Sequence, residues 1–107
     1  MPIKRDQIVK PVLPVEELHV PEIGPDPVSV HALKQKTVMS LQDKATAANV
    51  AWDIALIHEG VRADDGQPVY DMGEWEDFQA ANRKAYKKII DRLAVLNGLA
   101  PEENEKN

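Results

Sequence analysis

The placement of proline constrains this chain more than any other feature. Six of the eight prolines fall within the first 27 of 107 residues. Proline has no backbone N–H and restricts the residue before it, so this region cannot form a helix or a central strand. Residues 1–14 are therefore predicted to be an extended, proline-containing arm. Residues 15–100 have the length and the ordinary hydrophobic content (43% for the whole chain) of one small domain.

Two short segments after the arm alternate between apolar and polar residues. The first runs from Val15 to Val20 and the second from Val28 to Ala32. Residues 21–27 between them contain three prolines and a glycine, which favour a loop. This pattern predicts a short N-terminal β-hairpin at the edge of a sheet.

From Leu33 the hydrophobic period changes from two to about 3.6, which predicts a mainly helical body. A short helix is expected over 37–44 and a longer one over 45–59, with Gly60 as its stop. The last helix is expected over 80–96, before Asn97-Gly98. The predicted fold class is α+β, with a β-hairpin followed by helices in a single small domain.

Two turn signals lie between these helices. Asp64-Asp65-Gly66 predicts a tight turn within a small hairpin or an extended loop. Asp71 and Glu74 have the spacing of a helix N-cap and its acidic partner. A short helical turn carrying Trp75 and Phe78 on one side is expected to follow.

The residue inventory favours a non-catalytic protein without a cofactor or a metal. The chain has no cysteine, which excludes a disulfide, a thiolate nucleophile and a cysteine-based zinc site. No glycine-rich phosphate loop and no Gly-x-Ser-x-Gly elbow is present. His19, His31 and His58 lie on separate predicted elements, so they are not expected to converge on a metal. Turns and helix starts account for the carboxylates between Asp64 and Asp77.

Charge is unevenly distributed along the chain, whose net charge is −5. Residues 59–82 carry seven acids and one arginine, and residues 83–92 carry five cations and one acid. The basic stretch is either the solvated face of the last helix or a contact for a nucleic-acid backbone, and the acidic total favours the former. Opposite blocks can also pair between two copies, so a homo-oligomer is expected.

Trp52 lies at the edge of the predicted core stripe, where an aromatic side chain is either a core boundary or an anchor for another chain. One of the two tryptophans is expected to be partly exposed. The full set of candidate partner-binding residues is Trp52, Trp75, Phe78, Arg83, Lys84, Lys87 and Lys88.

The order of several short motifs resembles one known family. A small-residue helix ends in Ala55-Leu56-Ile57, an acidic turn reads Asp64-Asp65-Gly66-Gln67-Pro68-Val69-Tyr70, and the last helix closes on Leu96-Asn97-Gly98-Leu99. In this order and spacing, residues 15–107 resemble the tail assembly chaperones of long-tailed bacteriophages. The arm before Val15 and the segment with Trp75 and Phe78 depart from that family's pattern.

The resemblance implies a protein of the host bacterial cytoplasm that is absent from the mature virion. Members of the family bind the tape measure protein, keep it soluble, help recruit tail tube subunits and self-associate. They are commonly made in a short form and a frameshifted longer form. An adenine-rich run can encode Glu105-Lys106-Asn107, so a second reading frame is expected to continue there.

A small cytosolic protein-binding adaptor or regulator is the alternative function, with nucleic-acid binding through the basic helix a weaker variant of it. Residues 101–107 are expected to form a flexible acidic tail. No signal peptide and no membrane span is expected, because no apolar run is long enough.

Overall fold

The computed structural model of the chain describes residues 1–99, and the predicted tail at 101–107 lies outside the described residues. The fold is α+β, as predicted, and it begins with a β-hairpin. The elements in chain order are β1 (Val15–Leu18), β2 (Val28–His31), α1 (Gln35–Ala48), α2 (Trp52–Gly60), β3 (Val61–Arg62), α3 (Met72–Ala81) and α4 (Arg83–Leu96).

The three strands form one antiparallel sheet in the order β1-β2-β3. Glu16 pairs with Val30 across the hairpin, which confirms the predicted strand pair and places β1 at an edge. Val28 and Val30 of the central strand face the core and are buried. β3 begins the small hairpin predicted around Asp64-Asp65-Gly66, in which Arg62 pairs antiparallel with Pro68. Its pairing with β2 is not predicted, because two residues are too few to show an alternating pattern.

The predicted boundary between the first two helices is wrong. α1 is continuous to Ala48, and the break comes at Asn49, whose φ of 58° is left-handed. The Asn49 N–H donates to the Thr46 carbonyl and the Val50 N–H to the Ala45 carbonyl, at 3.1 and 2.9 Å. These two hydrogen bonds form a Schellman motif, in which asparagine can take the place of glycine.

The capping prediction for α3 is confirmed. The Glu74 N–H donates to Asp71 Oδ1 at 2.7 Å, and the Asp71 N–H donates to Glu74 Oε1 at 3.0 Å. The helix is longer than predicted, because it includes positions 80 and 81, which were assigned to the last helix. The helix ends instead at Asn82, whose φ of −136° is not helical.

α4 ends as its sequence predicted. Gly98 has a left-handed φ of 70°, and the N–H groups of Gly98 and Leu99 donate to the carbonyls of Val95 and Ala94. These two bonds form a second Schellman motif. A left-handed residue is therefore required at Gly98, where glycine is the least strained choice.

The core lies between the sheet and the helices and is built mainly from aliphatic side chains. α2 crosses its centre, and Gly60 at its end lies against Leu93 of α4 so closely that a Cβ would overlap the leucine side chain. The fully buried residues at the middle of the core are Val30, Leu41, Ala45, Ala55, Ile57, Val61, Trp75, Ile89 and Leu93.

Polar contacts join α4 to the N-terminal hairpin. The Arg92 guanidinium donates to both carboxylate oxygens of Glu16, at 2.9 and 2.8 Å. Beyond the helix end, Asn97 Oδ1 accepts the Leu33 N–H at 2.6 Å. The charged Glu16 side chain is thus accommodated on the inner side of edge strand β1, because Arg92 holds it in a bidentate pair.

Candidate partner-binding surfaces

The structure separates the two tryptophans. Trp52, at the start of α2, is only partly buried and packs against the rim of the core, as its position in the stripe indicated. Trp75 is fully buried and Phe78 is 6% exposed. Their rings lie 5.4 Å apart, and Tyr70 adds a third ring at 4.8 Å from Trp75. A partner reaches neither Trp75 nor Phe78 in this conformation, so the partner surfaces proposed below exclude both.

Four of the five basic residues of α4 are exposed, Arg92 is partly buried, and all except Arg83 line one wall of a groove. Lys88 Nζ donates to the His19 carbonyl at 3.0 Å, and Lys87 pairs with Asp91 at 2.8 Å. The groove between β1 and α4 has a volume of about 500 Å³ and is lined by Leu18, Lys84, Lys87, Lys88, Asp91 and Arg92. Arg83 is exposed at the start of the same helix but does not line this groove.

The acidic block is organised as its sequence indicated, by turns and caps. Asp65 Oδ1 accepts the Gln67 N–H at 3.0 Å in the tight turn, and Asp71 and Glu74 form the capping box of α3. Within residues 1–99, no lysine or arginine lies within 4 Å of a carboxylate between Asp64 and Asp77. This surface therefore carries negative charge that its own domain does not neutralise.

The N-terminal arm presents apolar side chains to solvent, a feature that no sequence pattern predicted. A short 3₁₀ turn spans Arg5–Gln7, and the arm joins the body where the Ala32 N–H donates to the Pro14 carbonyl at 2.9 Å. Among the described residues, nine large apolar side chains are exposed, and seven of them are Met1, Ile3, Ile8, Val9, Val12, Leu13 and Val15. The signal in the sequence is the concentration of apolar residues in a segment that cannot be helical.

The titratable side chains of residues 1–99 include one buried tyrosine–carboxylate pair. Tyr86 is buried and donates to Asp53 Oδ2 at 2.9 Å, so burial and the neighbouring carboxylate raise the pKa of the tyrosine well above its ordinary value. His19 is exposed, and His31 pairs with Val15 across the hairpin, so these histidines do not face each other. In residues 1–99, no three histidine or carboxylate side chains are grouped closely enough to hold a metal ion.

The fold and these surfaces define a small α+β domain with one apolar arm, one basic groove and one acidic face. Comparison of the chain with models of protein families found no match. Neither the curated proteins nor the solved structures contain a match. Across residues 1–99, no helix combines the length and the apolar character that crossing a bilayer requires.

Proposed function

We propose that this protein is a non-catalytic tail assembly chaperone of a long-tailed bacteriophage. It acts in the host cytoplasm, where it binds and solubilises the tape measure protein and helps recruit tail tube subunits, and it is absent from the finished virion. The resemblance of residues 15–107 to that family supplies the identity of the partners.

The observation that carries the proposal is the apolar arm. Val9 and Val12 are 86% and 84% exposed, whereas the apolar residues of the body are largely packed into one core. Concentrated apolar surface on a soluble domain marks a binding site for another chain. A chaperone for a long apolar client needs such a surface, and the partly exposed indole of Trp52 adds an aromatic anchor.

Co-expression with a candidate tape measure protein tests the proposal directly. The full chain is expected to move the tape measure protein into the soluble fraction and to co-purify with it. A variant with Val9→Ser and Val12→Ser is expected to lose most of this effect while melting within about 3 °C of the parent, because the replaced side chains bury little of the core. Met39→Ser provides the matched control, since Met39 is 71% exposed on α1, away from the arm.

Trp52→Ala extends the same assay to the body of the domain. Its effect on co-purification is expected to exceed its effect on thermal stability, because a half-buried indole contributes more to an interface than to the core. If the tape measure protein stays insoluble with the full chain, or if the Met39 control fails as completely as the arm variant, the chaperone proposal is wrong.

The basic groove favours a second candidate function, that of a small adaptor that binds an acidic partner. Lys84 and Lys88 line the groove beside Leu18, which offers a polar rim and an apolar wall. Neutralising them with Lys84→Gln and Lys88→Gln should weaken such a partner in a salt-dependent way. Binding of generic duplex DNA with the same dependence would favour the nucleic-acid variant of this function.

A further inference from the structure

The prolines of the arm favour a polyproline conformation. Pro11 and Pro14 fix their own φ near −65° and hold Lys10 and Leu13 in extended conformations. Ile8, which precedes this stretch, has φ −76° and ψ 125°. A polyproline helix repeats every three residues, so in this conformation Val9 and Val12 share one edge, and Ile8 shares another edge with the two prolines. The segment is therefore a preorganised apolar rod with one cation, at position 10.

A groove with acidic residues at its rim complements the apolar side chains and the cation of the arm. It has a volume of about 320 Å³ and is lined by His58, Gln67, Pro68, Val69, Tyr70, Asp71 and Glu74. The Tyr70 ring is held in place by edge contacts with Trp75 beneath it. Aromatic grooves with acidic rims bind proline-rich segments, because the rod shape loses little entropy on binding and its cation meets a carboxylate.

We propose that residues 8–12 of one copy bind the Tyr70 groove of a second copy, with Lys10 beside the Asp71 and Glu74 carboxylates. This inference rests on the self-association that belongs to the proposed function, and it names the interface.

Charge supports a second copy as the occupant. Residues 1–14 contain three cations and one acid, a net charge of +2, which leaves −7 on the rest of a chain whose total is −5. Lys4, Arg5 and Lys10 make no ion pair with any described residue, and the acids that rim the groove make none either. Three of the five basic residues of α4, by contrast, already contact protein groups: Lys87 contacts Asp91, Lys88 the His19 carbonyl and Arg92 the Glu16 carboxylate.

The arm does not fill this groove in its own chain. It leaves the body at Pro14, beside β2, and none of its residues lines the Tyr70 groove. Leu13 instead lines a different groove of about 390 Å³, next to Leu33 and Thr37. Within one copy the apolar arm and the acidic aromatic groove do not meet. Binding between copies would bring them into contact.

Sedimentation velocity of the full chain over a range of concentrations and salt tests the interface. Val9→Ser with Val12→Ser is expected to weaken self-association at least about tenfold, because two aliphatic side chains lose their burial. Asp71→Asn with Glu74→Gln keeps the capping box of α3, since Asn and Gln preserve the acceptor oxygens, and removes both rim charges. This variant should weaken the oligomer several-fold and reduce its salt dependence.

Two matched controls lie outside the interface. Met39→Ser removes an exposed apolar side chain from α1, and Glu76→Gln with Asp77→Asn removes two exposed charges from α3 without touching the groove. Both should leave the dissociation constant within about twofold. A synthetic peptide of residues 1–15 added to the ¹⁵N-labelled full chain should dissociate the oligomer and shift the amide signals of Val69 and Tyr70, a test that needs no folded variant.

Each outcome decides the question. A strict monomer at high concentration and low salt overturns both this inference and the proposed self-association. If the dissociation constant is unchanged in the arm and groove variants, or if the controls change it equally, this interface alone is wrong and the proposed function stands. Peptide shifts confined to the α4 groove likewise reject the Tyr70 groove as the binding site.

Discussion

Replacing Gly60 with alanine is expected to destabilise the domain, although alanine is the better helix former. Gly60 is the last residue of α2, and an added Cβ would overlap the Leu93 side chain and approach the His31 carbonyl at 3.5 Å. Leu93 is fully buried, so it cannot swing into solvent to make room. The leucine must adopt another rotamer inside a filled core.

Two opposing effects set the magnitude. Forcing an extra methyl into a packed core costs about 1–3 kcal/mol. Removing glycine from a helix gains about 0.5–1 kcal/mol. The net expectation for Gly60→Ala is a loss of about 1–2 kcal/mol in the free energy of unfolding, with a fall in Tm of roughly 5–10 °C.

Urea unfolding of four chains tests this reasoning. Leu93→Ala alone should cost about 2–5 kcal/mol, and the double variant should cost about 1–2 kcal/mol less than the sum, because the new methyl then occupies vacated space. Gly73→Ala is the control, since its Cβ would meet only Asp71 Oδ1 at 3.5 Å, an ordinary contact. That change should stabilise by about 0.5–1 kcal/mol. Strict additivity, or a stabilising Gly60→Ala, would refute the overlap as the cause.

Three further changes probe single contacts. Burial and the Asp53 carboxylate raise the pKa of Tyr86, so the folded state keeps a proton that the unfolded chain loses, and stability is full below about pH 10 and falls as the pH rises above it. Tyr86→Phe should flatten that fall in urea titrations at alkaline pH, and a slope equal to the parent's would contradict the raised pKa of Tyr86. Asn97→Ala should cost about 2 kcal/mol and speed amide exchange at Leu33, because two hydrogen bonds disappear. Asn49→Gly should be neutral or slightly stabilising and Asn49→Ala destabilising by about 1 kcal/mol in thermal melts, with the reverse order excluding the left-handed geometry.

Local chemistry made much of the fold predictable. The change of hydrophobic period at Leu33 separates hairpin from helices because the two structures repeat differently. Asp71 with Glu74, and Asn97 with Gly98, mark helix ends through bonds made within a few residues of each cap. Signals of this kind need no knowledge of the rest of the molecule.

The features that differ from the prediction have separate physical causes. The α1 break was placed at 44–45 because the apolar stripe appeared to restart there, whereas the left-handed turn at Asn49 redirects the chain so that Leu41 and Ile54 face one core. Trp75 and Phe78 were taken for surface anchors, but Tyr70 and α2 enclose them. The candidate arm surface was missed since an extended apolar segment shows neither a helical nor a strand period.

The polar contacts that join the hairpin to α4 also determine when this domain can finish folding during synthesis. Arg92 and Glu16 are separated by 76 positions, and Leu33 and Asn97 by 64. Such pairings are slow to form, because a long loop must close before they give any stabilisation. At a synthesis rate of about 5–20 residues per second, the arm and hairpin emerge several seconds before the helix that secures them. The nascent chain thus presents its apolar N-terminal segment well before its core is complete.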